Sequence, residues 1–397
     1  MKKLLMFFAI FSMIFFLNSR ILQAMDNNME IGGFISQGFL QSDKNNYLAE
    51  SSDGSFQFNE MGIYFSSTLS PNLRVGLQLF ARDLGEVGND EISANWAFAE
   101  YKWFEWLGLR AGLVKFPQGL YNDSRDMDML RTFVFLPSGV YNEYFRDGVD
   151  SQKGLQVFGN LLLGKMGVLE YGLQAGGVGI PIDSGTSKFY KEVTGQLNDV
   201  KKITVGTVFG AHLDWSLPVD GLRVKAFYAT TDYEMEGTTE ILNTTIPIVV
   251  DASKSEWITV SVAYLIGDFL MAAEYYTNIN KSAVFTPDRS TKLIPSDTTT
   301  SVGYYASVSY RVNSWLELGT YFTSYENDDD LKPTDALEDA QNELKEIVLA
   351  VRFDINSNWI AKLECHKVDG LFGVEKDGDK DLDEDWFLYT AKLTYFF

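Results

Sequence analysis

Polar and apolar residues alternate one by one along most of this chain, the period of a strand whose two faces meet different surroundings. In residues 72–82, Leu73, Val75, Leu77, Leu79 and Ala81 fall on one face and Arg74, Gly76, Gln78 and Arg82 on the other. Residues 202–216 set Ile203, Val205, Phe209, Leu213 and Trp215 against Thr204, Gly206, His212 and Asp214. Residues 221–231 set Leu222, Val224, Ala226 and Tyr228 against Arg223 and Lys225. The last segment sets Phe387, Tyr389, Ala391, Leu393, Tyr395 and Phe397 against Thr390, Lys392 and Thr394. Followed throughout, the pattern predicts about sixteen strands, near residues 29–41, 55–69, 72–84, 91–103, 106–116, 150–163, 166–178, 202–216, 221–235, 252–266, 268–281, 299–312, 315–327, 344–355, 358–369 and 384–397. The first, interrupted by Gly32, Gly33 and Gly38, alternates least well.

The connections carry as much information as the strands. Every second one is tight, around Ser70-Pro71, Phe104-Glu105, Gly164-Lys165, Pro218 to Asp220, Gly267, Asn313-Ser314 and Ser357. The others are long, polar and acidic, as in residues 179–201, 236–251, 282–298, 328–343 and 370–383. A soluble sandwich has no reason to alternate in this way. An outer-membrane barrel does, with short periplasmic turns and longer outside loops. Trp103, Trp106, Trp215, Trp315 and Trp359 adjoin tight turns, while Trp257 and Trp386 sit at the opposite strand ends and Trp96 alone lies mid-strand. Two aromatic girdles at the membrane boundaries are therefore expected. The expected fold is all-β: a transmembrane antiparallel β-barrel.

Composition narrows the reading further. Beyond the N-terminus no apolar run approaches the roughly 20 residues of a spanning helix. The opening MKKLLMFFAIFSMIFFL has a basic start and an apolar run, with Leu22 and Ala24 ahead of Met25. It reads as a signal peptide over residues 1–24, leaving a barrel of residues 25–397; an uncleaved anchor is the other reading. Cys365 is the only cysteine, so no intrachain disulfide can form. A formal charge of −21 argues against a nucleic-acid partner, which requires a basic patch.

The charged strand residues, among them Glu60, Arg74, Arg82, Arg110, Glu274, Arg352, Lys362 and Lys392, share the faces opposite the apolar ones. Charges avoid hydrocarbon, so those faces should line water. Barrels of this size leave an aqueous channel. One stretch breaks the alternation: Lys115 to Asp150, KFPQGLYNDSRDMDMLRTFVFLPSGVYNEYFRDGVD. It mixes the apolar run Phe133 to Leu136 with Asp123, Asp126, Asp128 and Asp147 and with Arg125, Arg131 and Arg146. Loops this long are usually functional or disordered, and its aromatic content argues against disorder. It is expected to fold into the lumen.

The whole pattern resembles the Gram-negative porins, and Phe397 at the end of an alternating strand resembles their assembly signal. A more local likeness runs from Trp96 to Gly154. WAFAEYKWFEWLGLRAGLVKFPQGLYN, followed by YNEYFRDG, is similar to the phosphate-selective porin family and its relatives. Those proteins share a Leu-Arg-x-Gly strand and a Lys-x-Pro-x-Gly-Leu entry into a long loop. The resemblance implies that the third outside loop, residues 117–149 here, forms a constriction. It also implies a homotrimer in outer-membrane lipid and lipopolysaccharide, passing small hydrophilic solutes or ions. The strongly basic pore of the phosphate-selective members is not matched, so their anion selectivity is not carried over.

Charged rings set selectivity in pores. The wall candidates are Arg74, Arg82, Arg110, Arg352, Lys362 and Lys392; the loop candidates are Asp123, Arg125, Asp126, Asp128, Arg131 and Asp147. Either they create a transverse field at the neck, or they pair with one another as structural bridges. Asp123 or Ser124 is placed to cap a short helix through Leu130, with Arg125–Asp128 and Asp128–Arg131 spaced for pairing; an irregular loop is the other reading. Residues 375–385, EKDGDKDLDED, start like an EF-hand at Asp377, Asp379 and Asp381 but have Leu382 and Leu388 where the motif needs Gly and Glu. A loose divalent site bridging lipopolysaccharide is the remaining metal reading. His212 and His366 are the only histidines and carry no catalytic motif around them. No enzyme, cofactor or resident metal is expected. The other reading is an adhesin or cation-binding barrel with a plugged pore.

Overall fold

The structure, a computed structural model, describes residues 29–85, 87–194, 196–241, 244–329, 340–375 and 382–397. The expected signal peptide, residues 1–24, and Asp377, Asp379 and Asp381 of the acidic run lie outside the described residues.

The strands are β1 (Met29–Ser42), β2 (Phe58–Ser70), β3 (Leu73–Leu84), β4 (Ser93–Phe104), β5 (Leu107–Lys115), β6 (Ser151–Leu162), β7 (Val168–Gly177) and β8 in two pieces (Asp199–Val205 and Thr207–Ser216). They continue as β9 (Leu222–Ile241), β10 (Thr244–Ile266), β11 (Phe269–Phe285), β12 (Lys292–Asn313), β13 (Leu316–Asp329), β14 (Glu343–Asp354), β15 (Trp359–Gly370) and β16 (Asp385–Phe396). Each pairs antiparallel with the next, and β16 returns to β1, so sixteen staves close a barrel. Closure is completed by the last residue: Phe397 N donates to Gly33 O at 3.0 Å and Gly33 N to Phe397 O at 3.2 Å.

The glycines that blur β1 in the sequence have a packing role. A Cβ at Gly38 would stand 2.2 Å from the Phe58 ring, and one at Gly32 would stand 2.2 Å from the Tyr64 hydroxyl. Both positions yield room to inward-facing rings of β2, a recurring use of glycine within strands.

The barrel turns its apolar faces outward. Leu213, Val260, Leu349, Leu363 and Leu393 are all exposed, while Gln78, Lys225, Lys362 and Lys392 on the opposite faces are buried. An exposed apolar band around a polar interior is a lipid-facing surface. Trp103, Trp106, Trp215, Trp315 and Trp359 are exposed beside the tight turns and form one girdle.

Four expectations are corrected. The expected second girdle loses Trp257 and Trp386: Trp386 is buried with its Nε1 donating to Gly370 O at 3.1 Å, and Trp257 packs with Phe116, Val208 and Phe227. Each shares strand parity with lumen-facing residues, Trp257 with Ser255 and Thr259, Trp386 with Leu388 and Lys392. Residues 236–251 and 282–298 are largely strand, because β9–β10 pairing continues to Ile241↔Thr244 and β11–β12 pairing to Phe285↔Lys292. One face of these hairpins is apolar and packed, with Ile246, Ile248, Val250, Val284 and Leu293 clustering with Leu197 and Val200, so they lack the polar inner face that marks a spanning strand. In β8 the face reverses at Gly206. Between Tyr233↔Val205 and Thr230↔Phe209, β8 uses one residue more than β9. One extra residue moves side chains to the other face, so Ile203 and Val205 face the lumen while Phe209 and Leu213 stay exposed. Finally, residues 122–130 form two short 3₁₀ turns, Asn122–Ser124 and Asp128–Leu130, with no side-chain cap.

Candidate functional site: the lumen and its inserted loop

The loop between β5 and β6 crosses the lumen because its own chemistry leaves it no better place. Its apolar run finds rings on the inner wall. Phe133 meets Tyr321 of β13 edge-on at 5.0 Å, and Phe135 stacks on Phe58 of β2 at 5.2 Å. Leu136 packs with Tyr141, Tyr305 and Ala272. Buried backbone donors also need partners. Val134 N and Phe135 N donate to Glu364 of β15 at 2.7 and 3.3 Å, and Gly139 N donates to Thr323 of β13 at 3.2 Å. Leu120 N and the Tyr141 hydroxyl donate to Glu274 of β11 at 3.0 and 2.5 Å, joined there by Ser261 and Tyr305.

The charges form a continuous seam of alternating sign between loop and wall. Arg82 of β3 pairs with Glu143 at 2.8 Å, Glu143 with Arg146 at 3.7 Å, and Arg146 with Glu60 of β2 at 3.1 Å. Glu60 pairs with Lys392 of β16 at 2.5 Å, Lys392 with Asp128 at 3.5 Å, and Asp128 with Lys362 of β15 at 2.9 Å. Burial pushes the Asp128 carboxyl up, but Lys362, Lys392 and Arg131 outweigh it and hold the group well below the usual carboxylate range. Glu143 behaves alike: burial raises it, and Arg125, Arg146 and Arg82 more than reverse that.

Most of the sequence-predicted site residues lie in this seam or close to it. Arg125 donates to the carbonyls of Tyr141 and Asn142 and to Glu143, all within 2.8–2.9 Å, rather than pairing with Asp128. Arg131 holds loop carbonyls of Arg125, Phe133 and Val134 and stands 3.8 Å from Asp128. Asp126 pairs with Lys115 at 2.9 Å, Asp123 with Lys225 at 3.3 Å, and Asp147 with Arg82 at 3.5 Å. Arg352 donates to the carbonyls of Met129 and Arg131 and to Asp354.

Arg74 and Arg110 stand apart from the loop. Arg110 grips Glu100 through two nitrogens, at 3.0 and 2.5 Å, and lies over the rings of Phe98 and Phe158. Arg74 is exposed and bonds Ser66 Oγ at 3.1 Å. Sequence reasoning left Glu143, Glu346 and Glu364 out of the site. Glu143 sits in the quoted YNEYFRDG, and its place between Arg125 and Arg146 was the available signal.

On the side away from the seam the loop leaves a cavity of about 310 Å³ against the wall formed by β8 to β13. Phe116, Tyr141, Phe145, Trp257 and Tyr276 line it, with amide and hydroxyl side chains between them.

The chain matches no known protein family and no curated protein. It is similar in structure to OmpT, an outer-membrane protein of Vibrio cholerae, with a TM-score of 0.59 at 12% identity, covering 94% of this chain and 99% of that one. The outer-membrane channel DcaP of Acinetobacter baumannii gives 0.55 at 11% identity, covering 93% and 97% of the two chains. An anion-selective porin from Comamonas acidovorans gives 0.54 at 13% identity, covering 93% and 99%. At such identities the likeness is one of fold: the closed outer-membrane type of β-barrel.

Proposed function

We propose that this chain is a porin of the bacterial outer membrane. Small hydrophilic solutes or ions diffuse passively through its lumen, narrowed by residues 117–149. The observation that carries this reading is the cavity left beside the loop. The charged seam latches the loop to β2, β3, β15 and β16 and Glu274 anchors it on β11, yet space remains against the wall of β8 to β13. A barrel plugged for structural reasons alone would gain nothing from leaving that side unfilled. The seam charges set the position of the loop, and Arg74, Arg110, Asp123 and Asp147 act on passing solute, being the less buried members of the candidate set. The assembly proposed is a homotrimer, a form in which V. cholerae OmpT has also been solved. No catalysis is assigned: His366, between Glu346 at 2.6 Å and Glu364 at 3.1 Å, buttresses the carboxylates that hold the loop.

A plugged barrel with working outer loops is the second reading, and one observation favours it. Phe372 stacks on Tyr325 at 4.1 Å and meets Phe189 at 5.2 Å, so loop aromatics pack into a core at the long-loop mouth. Single-channel recording of the pure protein in a planar bilayer separates the two. Discrete ohmic steps are expected; their absence overturns the channel.

A further inference from the structure

The cavity beside the loop differs electrically from the rest of the lumen. In the whole chain 22% of residues are charged, yet among the described residues lining this cavity only Arg125 carries a charge. That guanidinium is already held by Glu143 and two backbone carbonyls and is buried. In place of charge there is a row of neutral hydrogen-bonding side chains running across four adjacent strands. Ser255 of β10 faces Asn280 of β11, which faces Thr299 of β12; Asn278 faces Ser301, which faces Asn327 of β13. The row is internally ordered, with Asn280 Nδ2 donating to Asn278 Oδ1 at 2.5 Å and Ser301 to Asn327 at 2.7 Å. Asn280 Oδ1 is buried and, among the described residues, accepts from no protein donor. On the same strands, Trp257 and Tyr276 add aromatic surface next to this row.

We propose that the cavity is a binding site for a neutral, polyhydroxylated solute of about the size of a small sugar. This rests on the channel reading only in making the site part of the permeation path. An ion entering here gives up hydration for weak dipoles and finds no counter-charge, whereas buried charge demands a partner. A neutral polyol exchanges its water hydrogen bonds for amides and hydroxyls and lays its C–H faces on the rings. Aromatic walls with a few placed polar groups are the usual make-up of a small-molecule site, and about 310 Å³ falls at the lower end of their range of roughly 300–1,000 Å³. Asn280 Oδ1 supplies an acceptor for a solute hydroxyl.

The test uses the full-length protein, with lactose as the neutral probe and lactobionate, its carboxylate counterpart, as the charged one. Calorimetric titration in detergent and current block in a planar bilayer are both read. Saturable lactose binding is expected, weaker for lactobionate. It should weaken about tenfold in Trp257→Ala and in Asn280→Leu, the scale of one lost ring contact or buried hydrogen bond, and be largely kept in Trp257→Phe. Circular dichroism and heat-modifiable migration report that the variants are folded. Conductance without lactose binding overturns this site and leaves the porin reading intact. Binding without conductance does the reverse. Tighter binding of lactobionate, or equal affinity in all variants, also overturns the proposal.

Discussion

Lys362 of β15 holds Asp128 of the inserted loop twice, its Nζ donating to the carboxylate at 2.9 Å and to the same residue's carbonyl at 2.7 Å. Both side chains are 1% exposed. One lysine thus fixes the position and the local backbone of the loop, and Lys392 and Thr394 of β16 approach the same carboxylate at 3.5 and 2.8 Å. Replacing a buried pair by apolar groups is often neutral, whereas removing one partner costs about 3–5 kcal/mol because the other stays charged. Lys362→Met should therefore destabilise more than Lys362→Met combined with Asp128→Leu. With Lys392 still present, the single variant should lose up to about 3 kcal/mol and show larger, noisier conductance steps. Thermal melting together with single-channel recording checks this. Wild-type stability and conductance in Lys362→Met would mean that the latch lies elsewhere.

The sign of the pH response follows from the same groups. Asp128 and Glu143 lie below the usual carboxylate range in the folded protein, against about 4 when unfolded. A depressed folded pKa contributes stability above the unfolded value and loses it only as pH falls through the folded one. As far as these two carboxylates hold it, the loop should stay latched from pH 8 down to pH 4. Conductance recorded over that range should be flat, and a reversible step near pH 5 would contradict the assignment.

Selectivity should depend on arginines outside the seam. Arg74 is exposed and faces Glu100 across the strand pair, but Arg110 occupies that carboxylate. Removing Arg74 deletes a cation that solute can reach. Removing Arg110 frees Glu100 to pair with Arg74, leaving that arginine neutralised. Reversal potentials in a KCl gradient should move toward cations in both Arg74→Ala and Arg110→Ala. Near 0.1 M salt, where the Debye length is about 10 Å, either shift is measurable. The double variant, with Glu100 left bare, should move furthest. Unchanged potentials in all three would make these residues purely structural.

The sequence made the barrel readable because alternation and alternating connection length are both local signals. Even β1 was visible, although its glycines could be explained only once the rings of Phe58 and Tyr64 were in place. Features that depend on counting residues against a neighbouring strand were not readable. The extra residue of β8 at Gly206 changes no composition, yet it turns Ile203 and Val205 into the cavity. Trp257 has the type and position of a girdle residue, and only its parity places it in the lumen. The charged residues could be read as sharing one face, but their pairing was hidden. Asp128 finds Lys362 across 234 positions of chain and Arg82 finds Glu143 across 61, contacts that exist only once the loop has entered the barrel.

Glu274 provides the test of the loop's other anchor. Among the described residues no lysine or arginine is paired with it. Its two oxygens instead accept from Ser261, Tyr305, the Tyr141 hydroxyl and Leu120 N, two from the wall and two from the loop. All four of these groups donate to the carboxylate, so a side-chain N–H in its place has an acceptor only if a hydroxyl turns round. In Glu274→Gln either Leu120 N meets an N–H₂ or a hydroxyl must turn to accept from it and lose its own acceptor, so one donor is left unsatisfied at about 1–3 kcal/mol. Ser261→Ala removes one donor without creating a conflict and should cost less, about 1 kcal/mol. Because Tyr141 also lines the cavity, loosening this anchor should show as increased open-channel current noise before any change in mean conductance. Denaturant melts and noise spectra of the two variants provide the check. Equal stability in Glu274→Gln and wild type would mean that the four-donor arrangement does not hold the loop.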